Sequence, residues 1–116
     1  MIPVGAIVAV IVIVVILGII AATRAISGAA AYSATKAGLV AFTRVLAEEV
    51  RADGIRVGVV LAGATDTPLW DTIPNAPDRS RMLRPEDVAR AIVLMAGLPA
   101  RAAMEEVSLL PAGGIL

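Results

Sequence analysis

The stretch AYSATKAGL, residues 31–39, holds the only tyrosine and the only lysine of a 116-residue chain. Tyr32 and Lys36 stand four positions apart, and on a helix residues i and i+4 share one face. A free phenol has a pKa near 10 and is a poor base at neutral pH, but a nearby ammonium favours the phenolate. A tyrosine tuned in this way can give a proton to a carbonyl oxygen or take one from an alcohol. The lysine can also donate hydrogen bonds to ligand hydroxyls. Spacing alone equally suits a tyrosine that caps the core beside a solvated lysine.

Composition removes the competing chemistries. The chain has no Cys, which excludes disulfides, thiolate nucleophiles and zinc–thiolate sites. It has no His, which excludes a Ser-His-Asp relay and the commonest metal ligand. All ten basic residues except Lys36 are Arg, whose guanidinium does not deprotonate usefully. Acid/base work near neutral pH therefore falls to Asp, Glu, Lys36 or Tyr32. Ten acidic residues balance the ten basic ones, and no basic block marks a nucleic-acid surface. The pairs Glu48/Glu49, Glu86/Asp87 and Glu105/Glu106 are adjacent in sequence, so their members point apart in a regular element. They read as solvated acids, and no metal site is expected.

These residues need elements to hold them, and the chain supplies small and β-branched side chains suited to packed α/β layers: 59% of its residues are hydrophobic, with one each of Phe, Trp and Tyr. Residues 2–22 are an uncharged apolar run, long enough for a membrane span of about 20 residues. In water its last part, about Val12 to Leu17, reads as a strand buried on both faces. A helix is expected from about Ala31 to Ala52, with Leu39, Phe42, Leu46 and Val50 on its apolar face and Gly54 as its stop. The run Ile55 to Gly63 follows as a second buried strand, which completes a parallel βαβ unit. Residues 63–84 form a long polar segment with three prolines and the only Trp, in the manner of a lid or a disordered loop. Pro85, Glu86 and Asp87 open a second helix that Gly97 and Pro99 stop, and a third strand is expected at about Glu106 to Leu110. The order β–α–β–loop–α–β is a fragment of a doubly wound α/β sheet.

The flanks of the Tyr/Lys pair carry a resemblance. YSATKAGLVAFTRVLAEEVRADG, the strand IRVGVVL, the turn AG, the loop ATDTP, and then MLRPEDVARAIVLMAGLP and EEVSLLPAGG follow one another in a particular order. From about Val12 to Leu116 this order resembles the short-chain dehydrogenase/reductase family. The resemblance implies a partial Rossmann-like parallel sheet of about three strands with two main helices, and an oxidoreductase that uses NAD or NADP on a small-molecule alcohol or carbonyl. It implies that Tyr32 is the proton donor/acceptor and that Lys36 binds the nicotinamide ribose and favours the ionised form of Tyr32. Gly63, Ala64 and Thr67 would sit against the nicotinamide, and residues 68–84 would cover the substrate.

Three departures from the family pattern shape the expectation. The family's catalytic serine stands thirteen positions before the tyrosine, where this chain has Ile19; neither Ser27 nor Ser33 has the right spacing. An isoleucine cannot hydrogen-bond the substrate oxygen. No glycine-rich strand-to-helix turn precedes Tyr32, and the late Ala112–Gly114 opens no helix. The usual Pro-Gly turn reads Ala62-Gly63. The chain is thus read as an apolar leader over residues 1–11 and, over 12–116, the C-terminal half of a dehydrogenase domain: truncated, impaired, and a homo-oligomer. The alternative is a non-catalytic family member that serves as an assembly partner or, through residues 2–22, a membrane-associated remnant. The expected location is cytoplasmic, or the membrane under that alternative. The first strand is expected to leave an unpaired edge.

Overall fold

A computed structural model describes the backbone of residues 11–17 and both backbone and side chains of residues 30–114. In chain order the elements are β1 (Ile11–Leu17), α1 (Ala30–Glu49), β2 (Arg56–Ala62), α2 (Pro85–Ala96) and β3 (Glu106–Leu109), with short 3-10 turns between α1 and β2 and within residues 63–84. The three strands form one parallel sheet in the order β1-β2-β3. Ile11 pairs with Arg56 and Leu17 with Ala62, while Val59 pairs with Glu106 and Ala62 with Leu109. All three strands therefore end at one edge of the sheet. The partial doubly wound α/β architecture read from the sequence is the one observed.

β2 explains the layering. Successive side chains of a strand point to opposite faces, and here both faces are covered. Val59 and Leu61 meet Val40 and Leu39 of α1, whereas Val60 and Ala62 meet Val88 and Met95 of α2, together with Leu83. Val59 and Val60 are completely buried, and each such side chain contributes about 1.5–3 kcal/mol through removal from water. Parallel strands buried on both faces read as the unbroken apolar run found between Val57 and Ala62.

The inward face of α1 differs from the one expected. Its buried residues are Val40, Thr43 and Ala47, with Leu39, Leu46 and Val50 half-buried at the flank. Phe42, placed on the core face by the sequence periodicity, is 60% exposed, and Val45 is 56% exposed. The small Thr43 and Ala47 let the helix lie close to β2. Thr43 turns its hydroxyl back onto the carbonyl of Leu39 at 2.7 Å, so its polar atom is satisfied despite burial. The helix ends at Glu49, three residues earlier than expected, and a 3-10 turn over Arg51–Asp53 follows. Gly54 then supplies the left-handed step, with φ 74°.

α2 starts as its sequence predicts. The Asp87 carboxylate accepts from the Arg84 backbone N–H at 2.8 Å, with Pro85 in the first turn. Its approach to β2 depends on Gly58: a Cβ there would collide with the Met95 methyl and lie 2.7 Å from the Met104 carbonyl. The crossing from α2 to β3 is held by Arg56, whose Nη1 donates to the carbonyls of Leu98, Pro99 and Ala102.

The acidic pairs read as solvated are in part ion-paired. Arg44 of α1 donates to Glu106 of β3, and Arg51 donates to both Glu48 and Glu105. The hydrogen bond from Arg44, aided by its charge, holds the Glu106 carboxyl below the usual glutamate range, and Arg51 does the same for Glu48. Among the described residues no group of acids, His or Cys could hold a metal ion, and no helix is long and apolar enough to cross a membrane. Within the apolar run 2–22, residues 11–17 are strand, so the last residue of the leader expected over 1–11 is the first of β1; the remainder of the run, with residues 1–10 of that leader, lies outside the described residues.

Two outcomes follow from this packing. Gly58→Ala should destabilise the fold by about 1–3 kcal/mol, the usual cost of overpacking, read as a lower urea midpoint. Glu106 and Glu48 are depressed in the folded state, so the stability they give is fully present above the ordinary glutamate value. That stability is lost as pH falls through their lower folded-state values. Urea midpoints should therefore drop on acidification below about pH 4.5, and Glu106→Gln should flatten that drop.

Candidate active site

In open parallel sheets, ligands sit outside the carboxyl ends of the strands. Here that edge is marked by Leu17, Ala62 and Leu109. α1 runs antiparallel to β2, since Val40 packs near Leu61 whereas Ala47 and Thr43 lie with Val57 and Val59. From Val40 back to Lys36 the helix rises about 6 Å, and from Leu61 on to Gly63 the strand rises about 6.6 Å. The first turns of α1 thus reach the level where β2 gives way to its loop.

Tyr32 and Lys36 occupy those first turns. The Lys36 Nζ lies over the Tyr32 ring, 5.3 Å from its centroid, in cation–π range. Tyr32 is 45% exposed and Lys36 half-buried. The four-residue spacing therefore brings the phenol and the ammonium onto one accessible face.

Gly63, Ala64 and Thr67 form a second group at the end of β2. The Gly63 N–H donates to Leu109 at 2.8 Å, and a Cβ at Gly63 would lie 2.9 Å from Leu110 and 3.3 Å from Pro111. A side chain here would therefore have to displace Leu110, just after β3. The carbonyl of Ala64 accepts from Leu83 N, and the Asp66 N–H donates to the Leu83 carbonyl, a one-rung parallel bridge between residues 65 and 83. Buried Thr65 donates its hydroxyl to the Gly63 carbonyl at 2.9 Å, and its own carbonyl accepts from the Trp70 indole at 2.7 Å. Thr67 precedes the 3-10 turn Pro68–Thr72 in extended conformation. Its side chain makes no capping bond, an unusual choice for a threonine at that position.

The segment 63–84, expected as a lid or a disordered loop, is folded on itself. Besides the bridge and the Trp70 bond, Arg79 ties Asp66, Asp71 and Thr67 together. Arg79 and Trp70 were not singled out as site residues from the sequence. The available signal was one Arg and one Trp in a loop that also carries Asp66 and Asp71. A depression of about 720 Å³ lies beside this loop, lined by Asp66, Met82, Arg84 and the first turn of α2, and includes none of the five expected site residues. Ile19, which stands at the expected serine position, lies outside the described residues, as does Ser27.

Comparison with known proteins agrees with this fold. The family profile described as Enoyl-(Acyl carrier protein) reductase matches residues 12–104. The chain is 36% identical over 78 residues to the (2S)-[(R)-hydroxy(phenyl)methyl]succinyl-CoA dehydrogenase subunit BbsD of Thauera aromatica, covering 60% of this chain and 32% of that protein. The match thus spans about a third of the curated relative's length. Among solved structures, a short-chain dehydrogenase/reductase family oxidoreductase from Burkholderia thailandensis aligns with a TM-score of 0.69 at 30% identity, over 85% of this chain and 43% of that one. BdcA, solved in complex with NADPH, aligns with a TM-score of 0.68 at 29% identity, over 90% and 46% respectively. With its profile match, its parallel sheet and its relatives in agreement, this chain belongs to the short-chain dehydrogenase/reductase family of oxidoreductases.

Proposed function

We propose that residues 12–116 form the part of a dehydrogenase domain that carries proton transfer and the nicotinamide side of an NAD(P)-dependent alcohol/carbonyl interconversion. The observation that carries this reading is the Lys36 ammonium over the accessible Tyr32 ring, at the strand-end edge of a parallel sheet. In reduction the Tyr32 hydroxyl gives its proton to the substrate oxygen; in oxidation the phenolate takes it back. Lys36 sets its ammonium over the Tyr32 ring and has protons to donate to ribose hydroxyls.

The donor set fits the nicotinamide–ribose end of such a cofactor. Lys36 offers hydrogen bonds to hydroxyls, and the uncapped Thr67 hydroxyl lies beyond Gly63 and Ala64. When bound, the cofactor supplies or accepts the hydride. Ile19 at the serine position weakens polarisation of the substrate oxygen, and a reduced turnover follows from that loss.

The proposed assembly is a homo-oligomer, supported by the exposed Phe42 and Val45 on one stretch of α1. Large side chains exposed side by side on a helix suit a protein contact better than water.

NADPH fluorescence titration tests the cofactor reading: saturable binding is expected, and no binding at millimolar cofactor removes it. Where oxidoreductase activity is measured, Tyr32→Phe should lower kcat by about 10²-fold or more, as loss of a general acid does; an unchanged rate takes Tyr32 out of the reaction. For the assembly, sedimentation should show a multimer that Phe42→Asp converts to a smaller species, and a wild-type monomer overturns it.

A further inference from the structure

We propose that Arg79 is a positioning residue for this site, the group that holds the Asp66–Asp71 segment so that the Thr67 hydroxyl is presented to the ligand. The inference rests on the proposed nicotinamide reading of Thr67 and adds to it a residue that the sequence motifs do not include.

Three donors of one guanidinium reach three points of the same segment. Nε donates to the Asp66 carboxylate at 2.6 Å, Nη1 to the Asp71 carboxylate, and Nη2 to the Thr67 carbonyl at 3.1 Å. The residue preceding Thr67 is thus held by its side chain and Thr67 by its own carbonyl. The same Thr67 carbonyl also accepts from the Trp70 N–H at 3.1 Å, so the backbone that carries the Thr67 side chain is held on both sides. The Thr67 side chain makes no capping bond to the turn that follows it. A threonine whose backbone is clamped and whose hydroxyl does not serve as a cap is preorganised for an outside partner.

The clamp is itself anchored. Asp78 caps the turn Arg79–Arg81, its carboxylate accepting from the Ser80 N–H at 3.0 Å and the Ser80 hydroxyl at 2.7 Å. Met82 and Leu83 then descend into the core, where Leu83 bonds to Ala64 and Asp66. Arg79 therefore projects from a fixed base. Lysine could supply the charge but not three divergent planar donors, so the role belongs to the guanidinium.

The test uses the whole chain with Arg79→Gln, Arg79→Lys and Thr67→Val, singly and combined. Arg79→Gln should raise amide exchange across residues 66–72 by about tenfold while α1 and β2 keep their protection. Emission from Trp70, the only tryptophan, should shift to the red. Arg79→Lys should not restore either signal. NADPH affinity supplies the arm that a merely structural role would not move. Thr67→Val should weaken binding by about tenfold in the wild-type background and by much less in Arg79→Gln, because the hydroxyl is already misplaced there. Equal Thr67→Val losses in both backgrounds, or unchanged exchange in Arg79→Gln, overturn the role of Arg79 alone. A wild-type chain that binds no NADPH overturns the nicotinamide reading and the presenting role together.

Discussion

The strict alternation of side chains along β2 is the constraint on which the other elements depend. Val59 and Leu61 are committed to α1, and Val60 and Ala62 to α2, so the two helices must lie on opposite faces of the sheet. Once α1 is fixed by Val40, Thr43 and Ala47, its first turns project past the end of the strand, and Tyr32 and Lys36 go with them. The strand's last residues in turn deliver Gly63 and the loop after it to the same edge. The chemistry proposed for the molecule is thus placed by a packing decision made in the middle of the sheet, several residues away from any reacting atom.

Much of this was legible in the sequence, for physical reasons that differ from element to element. β2 and the start of α2 were readable because each is specified by local signals: an unbroken β-branched run in one case, and Pro85 with Asp87 in the other. The inward face of α1 was misjudged at Phe42 because periodicity finds an apolar stripe but does not say which edge of it meets the strand. Close approach selected small residues, Thr43 and Ala47, and turned the aromatic ring outward. At the site, the four-residue spacing put Tyr32 and Lys36 on one helix face, while their chemical reading came from the flanking motifs. The order within residues 63–84 did not, because it comes from Arg79 and Trp70 reaching partners that no periodic pattern announces.

The ion pairs serve a different purpose from the core. Arg44–Glu106 and Arg51–Glu105 join the second half of α1 and the turn after it to β3, across the central strand that separates them. They lie on the half of the molecule away from the Tyr32 edge. Their surface position makes them sensitive to salt and acid, and the proposed catalytic edge does not rely on them.

β3 is only four residues long, yet it is fastened at both ends. Below it, Arg56 gathers the carbonyls of Leu98, Pro99 and Ala102, and the Val59 N–H takes Glu105; above it, the Gly63 N–H takes Leu109. A slip of one residue would turn Val107 and Leu109 to the wrong face. A slip of two would keep the faces but pull the Arg56 carbonyls out of reach. Register in this strand is therefore set by its two end fastenings rather than by its length. A strand so fixed can be short and can form the margin of the sheet without sliding against its neighbour.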